Sequence, residues 1–314
     1  MSTVPRLSIG LPVYNGENYL AESIDALLGQ TYEDFELLIS DNASTDDTAR
    51  VCARYQAQDS RVRYFRQPHN IGCAPNHNFL VGQARGELFK WVAHDDLYAS
   101  DLLERCVDAL DKYPTAVLAQ SFTALIDGSG TVTQTVKYIL TTAGSSAPER
   151  FRSVLFDTGG DDGGAVIRTS VLRQTALTGS HYRADRTFVA ELALYGAFHQ
   201  VPDWLYFRRD HSDRASRAFP TVRTWCANLD PRRADRLRNP VVRLYGEYIW
   251  GYIAAIRRAP LSAAERRACY RHLMDWAASR AFTAHGKFVS EQVDAHVPGI
   301  SVQTVVAGQQ GRSG

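Results

Sequence analysis

Short apolar runs alternate with amphipathic stretches along the first two thirds of the chain. Leu7-Ser8-Ile9-Gly10-Leu11-Pro12-Val13 is apolar and broken by Pro12, which suits a buried parallel strand ending in a loop. From Tyr19 to Leu28, the positions Leu20, Ile24, Leu27 and Leu28 form a helical stripe. Phe35 to Ser40 is a second apolar run, closed by Asp41-Asn42. Ser44-Thr45-Asp46-Asp47-Thr48 supplies capping chemistry for a helix over Ala49 to Tyr55. Val62 to Phe65 reads as a third strand, Asn76 to Ala84 as a helix and Leu88 to Ala93 as a fourth strand.

Such an alternation, with strands too apolar to face water, predicts an α/β fold: a mostly parallel sheet flanked by helices. Ligands in such sheets bind beyond the carboxyl ends of the strands. There the chain places Tyr14-Asn15, Asp41-Asn42 and His94-Asp95-Asp96.

Further on, a helix over Leu102 to Tyr113 stops at Pro114, and strands are expected over Ala116 to Ala119 and Phe122 to Ile126. Asp127 to Gly130 is a turn, and Asp157 to Gly164 reads as a glycine- and aspartate-rich loop. Ala165 to Arg168 and Val171 to Thr175 return to order. Phe188 to Tyr195 is a helix ended by Gly196, followed by strands over Phe198 to Val201 and Leu205 to Arg208. Composition changes near Ser212. The chain is arginine-dense to Arg243, then predicts helices over Val241 to Arg258 and Ser262 to Phe282 and a loose tail after Pro298.

A formal net charge of +1, with 22% charged residues, argues against a nucleic-acid partner. Five dispersed cysteines without a CxxC pair suit buried reduced thiols and a cytoplasmic setting. The N-terminus enters its first strand without a charged segment, long apolar run or cleavage site. No window offers the roughly 20 apolar residues that cross a bilayer. Leu244 to Ile256 comes nearest but is short and carries Glu247. A soluble protein, or one peripheral at the cytoplasmic membrane face, is expected.

Asp95-Asp96 is the sharpest chemical signal, two adjacent acids after an apolar strand. Mg²⁺ and Mn²⁺ take oxygen ligands and commonly combine carboxylates with substrate phosphates. Such pairs also form turns and helix caps, so the pair alone leaves both readings open. The ordered set decides more. Leu11-Pro12-Val13-Tyr14-Asn15, Leu28-Gly29-Gln30-Thr31-Tyr32, Ile39 to Asp46, Asn70-Ile71-Gly72, Ala84-Arg85-Gly86-Glu87 and His94-Asp95-Asp96 follow one another along the chain. This series resembles family 2 glycosyltransferases of the GT-A fold, over roughly residues 5 to 211.

The resemblance implies a Rossmann-like catalytic domain over 1–215, with a nucleotide-sugar half of about 1–97 and an acceptor half of about 98–215. A helical C-terminal region over 216–297 and a flexible tail over 298–314 would follow. It further implies an inverting transfer of a sugar from a UDP- or dTDP-sugar to a hydroxyl acceptor, in glycan, glycolipid or cell-surface polysaccharide synthesis. Tyr14, beside Pro12 and Asn15, would lie against the nucleobase, and Asp41 would accept from the pyrimidine N3–H, with core packing and helix capping as rival roles. Asn76 would join the nucleotide contacts.

The family's metal motif reads Asp-x-Asp or a close variant, and here His94 holds its first position. The resemblance then makes Asp96 the ligand of Mn²⁺ or Mg²⁺ and Asp95 a sugar or ribose contact. For His94, ligation and packing stay open. Asp185 falls where the family places the base that deprotonates the acceptor, with capping of the next helix as its rival and Glu191 as fallback. Tyr206-Phe207-Arg208-Arg209-Asp210-His211 resembles the closing Arg-x-His stretch, which implies diphosphate contact for Arg209 and metal contact for His211.

The arginine-dense segment suits a solvated linker, a lipid-diphosphate acceptor or an anionic membrane surface. Tyr245, Tyr248, Trp250 and Tyr252 on the next helix suit a membrane interface, the catalytic domain or a second subunit in a homo-oligomer. A nucleotidyltransferase would open with a glycine-rich phosphate loop, which Gly10 to Val13 is not. A dehydrogenase would carry G-x-G-x-x-G. A glycosidase needs no nucleotide cradle, and a non-catalytic nucleotide-binding relative would have no use for Asp185.

Overall fold

The computed structural model describes residues 4–136, 142, 146–156 and 164–282. Nine strands form one sheet: β1 (Leu7–Val13), β2 (Phe35–Asp41), β3 (Val62–Arg66), β4 (Leu88–Trp91), β5 (Leu97–Tyr98), β6 (Ala116–Ile126), β7 (Val132–Val136), β8 (Val166–Arg168) and β9 (Ala197–Arg209). Their order is β3-β2-β1-β4-β8-β6-β9-β5, with β7 beside β6. The first four strands are mutually parallel. The far half is mixed, with β8 antiparallel to both β4 and β6, and β6 parallel to β9. This is the α/β architecture that the alternation predicts.

Burial explains the composition of the strands. Every residue of β2 is buried, and β1 is buried except Pro12, because helices cover both faces. One face carries the helices Leu20–Leu28 and Leu102–Lys112, whose Ile24, Leu27, Leu103 and Val107 join Leu7, Ile9 and Leu11 in the main core. On the other face, Leu80 and Val81 of the helix Cys73–Gln83 meet Phe188 and Leu192 of the helix Ala184–Tyr195 around Phe89 and Trp91.

Two pairs of expected short strands are single long ones. β6 runs through Gln120-Ser121, both buried, and β9 runs through Pro202-Asp203. Pairing jumps from Ser121↔Val201 to Phe122↔Trp204. This bulge accommodates the proline, which has no N–H for the ladder. The helix expected from Phe188 begins earlier, at Ala184, after Arg183 takes a left-handed φ of 53°.

The C-terminal helices Val241–Arg258 and Ala263–Phe282 are continuous with the rest. Tyr248, Tyr252 and Ile256, with Leu273 and Trp276, bury against Phe151, Leu155, Ala190 and Leu194. Tyr248 and Tyr252 therefore serve packing, whereas Tyr245 and Trp250 are exposed. Among the described residues no helix is long and apolar enough to cross a membrane. Residues 157–163 of the expected acceptor loop, and all residues after 282 including the tail, lie outside the described residues.

Candidate functional site

β1 lies between β2 and β4, in register from Leu7↔Phe35 to Val13↔Asp41 on one side and from Leu7↔Leu88 to Gly10↔Trp91 on the other. The loops after these strands meet beyond their carboxyl ends. Asn15 adopts a left-handed φ of 51°. Its Oδ1 accepts from the Thr45 N–H at 2.9 Å, and its own N–H donates to Ser44 Oγ at 2.9 Å, stitching the first loop to the second. Gly16 leaves no room for a side chain: a Cβ there would fall 2.6 Å from Val13 Cγ2 and 2.7 Å from His94 Cδ2. His94 thus packs against the first loop, and burial pushes the pKa of its imidazole down. Tyr14 sits at the rim, 46% exposed, above the half-buried Pro12.

Two of the expected nucleotide contacts also brace the fold. Asp41 has no exposure, and its carboxylate accepts from the Ser44 N–H at 2.7 Å and the Tyr64 hydroxyl at 2.9 Å. The enclosed carboxylate fixes the loop beside the place expected for the base. Asn76 is likewise buried. Its Oδ1 accepts from Ser40 Oγ at 2.6 Å and its Nδ2 donates to the Ser40 carbonyl at 2.9 Å, locking helix to strand.

At the third strand end the two acids diverge. Asp95 Oδ2 lies 2.9 Å from His211 Nε2, both side chains keeping slight exposure. Asp96 is buried, and its carboxylate accepts the Arg209 backbone N–H at 2.9 Å and the Tyr206 hydroxyl. Asp96 ties the loop to β9, and Asp95 with His211 makes the less buried pair.

Arg209 is held from several sides. Its side chain is 1% exposed and faces inward, on the same side of β9 as the buried Leu205 and Phe207. Nε donates to the Asp95 carbonyl at 2.8 Å, one terminal nitrogen to the Gly128 carbonyl at 2.9 Å, and the other to Glu22 at 2.7 Å. The guanidinium stacks 4.4 Å from the centre of the Tyr19 ring, whose other neighbour is His211 at 5.1 Å. Arg209 holds the carboxylate loop. Arg209→Met should therefore lower stability by about 2–4 kcal/mol, because buried carbonyls lose their donor. Denaturant titration checks this, and an unchanged midpoint would contradict the role.

Asp185 lies in the first turn of its helix, not ahead of it, and its side chain is exposed. The fallback Glu191 lies further along the same helix. It is buried, paired with Arg258, and accepts from the Ala176 N–H at 3.1 Å.

No motif singled out Tyr19 or Lys90, which pack around the site. Lys90 is buried in β4, donates to the Gly164 carbonyl, and lies 5.8 Å from the ring centres of both Tyr98 and Tyr206. Burial pulls its pKa down to about 8. A lone lysine inside the run Leu88 to Val92 was the available signal.

No three metal-ligating side chains converge among the described residues. The Asp95–His211 pair supplies one oxygen and one nitrogen donor, which fits a divalent ion that completes its shell with phosphate oxygens and water.

The family model "Glycosyl transferase family 2" matches residues 8–175. An uncharacterized glycosyltransferase of Rickettsia felis is 39% identical over 110 residues, 34% of this chain and 18% of that protein. Glycosyltransferase GlyG of Streptococcus pneumoniae is 34% identical over 98 residues, 31% of this chain and 33% of that protein. The chain thus spans a third or less of these two relatives' lengths. Among solved structures, S. aureus TarS 1-349 in complex with UDP has a TM-score of 0.60 at 17% identity, covering 90% of this chain and 76% of that one. Mannosyltransferase PcManGT from Pyrobaculum calidifontis, in complex with GDP-Man and Mn²⁺, has a TM-score of 0.53 at 16% identity, covering 91% and 89%. At these identities the structures establish the shared GT-A-like fold.

Proposed function

The chain belongs to glycosyl transferase family 2, and on that premise we propose that it moves a sugar from a nucleoside-diphosphate sugar to an acceptor hydroxyl with inversion. The observation that carries this reading is the less buried Asp95–His211 pair, set at the same sheet edge as the exposed Tyr14 ring. In this reading the ring stacks on the nucleobase. Asp95 and His211 hold Mn²⁺ or Mg²⁺, which would neutralise charge on the departing diphosphate. The neighbours with UDP and with GDP-Man and Mn²⁺ support a nucleotide-sugar donor, and we assign a UDP- or dTDP-sugar. Asp185, at the positive end of a helix, takes the acceptor proton as that oxygen attacks the anomeric carbon.

The acceptor is a saccharide, glycolipid or polysaccharide end. Exposed Leu237, Val242, Tyr245 and Trp250 beside Arg236, Arg238 and Arg243 suit a peripheral contact with a cytoplasmic membrane face or a second copy of the chain. The domain limits follow the same reading, with catalysis within 1–215 and support from the helices beyond. Incubation with UDP-, dTDP- and GDP-sugars, with and without glycan or glycolipid acceptors, should give acceptor-dependent release of UDP or dTDP. Release from none of them would remove the transferase reading.

A further inference from the structure

At the opposite pole of the sheet a cavity of about 580 Å³ lies among Arg6, Arg85, Glu87, Arg168, Thr169 and Arg173. Its floor is the amino end of β1, and β1's seven residues put it about 20 Å from the loops of the donor site. Charge is unbalanced there. Arg6 pairs with Glu87 and Asp111, and Arg85 shares Glu36 with Arg63. Arg168 donates to the Ala116 and Leu110 carbonyls at 2.8 and 2.7 Å, and its charge reaches Asp111. Arg173 donates to the Ala84 carbonyl at 2.9 Å.

Five guanidinium groups thus face four carboxylates, Asp34 being held by the Arg6 N–H at 3.3 Å, an excess of one positive charge. Arg168 and Arg173 spend N–H donors on neutral carbonyls, which satisfy hydrogen bonding and leave the charge in place. A phosphate monoester carries close to two negative charges and several strong acceptor oxygens, and planar guanidinium groups match it.

We infer that this cavity is an anion site for a phosphate monoester, separate from the donor site, with Arg168 and Arg173 as its charge. The group would come from a soluble phosphorylated compound or from a lipid headgroup, and the chemistry of recognition is the same.

Thermal unfolding of the full chain in inorganic phosphate, against sodium chloride of equal ionic strength, tests this. Phosphate should raise the midpoint in the wild type and in Asp95→Ala. In Arg173→Glu the response should be lost, and in Arg173→Gln phosphate should bind about tenfold more weakly, since a charge-assisted bond is removed. Arg173 is exposed, so both variants should fold. No response in the wild type overturns the inference. So does a response kept in Arg173→Glu and lost in Asp95→Ala, which would assign phosphate to the donor end. Flotation with phosphatidylcholine vesicles containing phosphatidic acid then separates the sources. Binding by the wild type and not by Arg173→Glu identifies a headgroup, and a phosphate response without flotation identifies a soluble ligand.

Discussion

Asp185→Asn should reduce sugar transfer by about a hundredfold or more while nucleotide binding stays close to wild type. The magnitude is the ordinary contribution of a positioned general base, and the substitution keeps size and shape while removing the proton acceptor. The residue's exposed place in the first turn of its helix supports a change that the fold tolerates. Turnover and nucleotide affinity should therefore separate. Steady-state transfer rates alongside a calorimetric nucleotide titration would show it. Undiminished turnover would take Asp185 out of the mechanism. A parallel fall in affinity would make it a structural residue.

Asp95→Ala should abolish the metal-dependent part of nucleotide binding, and Asp96→Ala should act differently. Asp95 meets His211 at the site's surface, so its loss removes a ligand while the fold remains. Asp96 is buried beneath the Tyr206 hydroxyl and the Arg209 N–H. Its loss leaves two donors without acceptors, at about 1–3 kcal/mol each, and should lower the unliganded midpoint first. The two variants, compared by thermal unfolding with Mn²⁺ or chelator, place the metal on one acid or the other. Metal dependence that survives Asp95→Ala and disappears in a folded Asp96→Ala would restore the assignment that the motif alone suggests.

This contrast shows where pattern stops informing on geometry. The parallel half of the sheet was legible because each strand is apolar throughout and each loop begins with polar residues, as with Val13-Tyr14-Asn15 and Ile39-Ser40-Asp41. Even the limits of the helix Val241–Arg258 follow from its spacing. Site roles were less legible, because a motif names residue types without saying which oxygen faces solvent. Asp41 and Asn76 are polar and adjacent to the site, yet both spend their polar atoms on backbone and hydroxyl partners.

Arg209 was readable in principle. Alternation along β9 puts it in phase with Leu205 and Phe207, on the buried side, where a guanidinium must find protein partners. Glu191 was not, since its partner Arg258 is 67 residues away and no local pattern could supply it. The strand breaks expected at Gln120-Ser121 and Pro202-Asp203 failed for a related reason: the neighbouring strand absorbs them through a bulge that only pairing reveals.

A pyrimidine nucleoside diphosphate should bind at Tyr14 through a divalent ion on Asp95 and His211. The most direct measurement is thermal unfolding of the wild type with UDP, dTDP, GDP, CDP or NAD, each with Mn²⁺, Mg²⁺ or chelator. A ligand at about a hundred times its dissociation constant stabilises by roughly 2.7 kcal/mol, which moves the midpoint of a domain this size by several degrees. That shift is expected for UDP or dTDP with metal, and its loss with chelator. A shift that ignores chelator, or none with any nucleoside diphosphate, would contradict it.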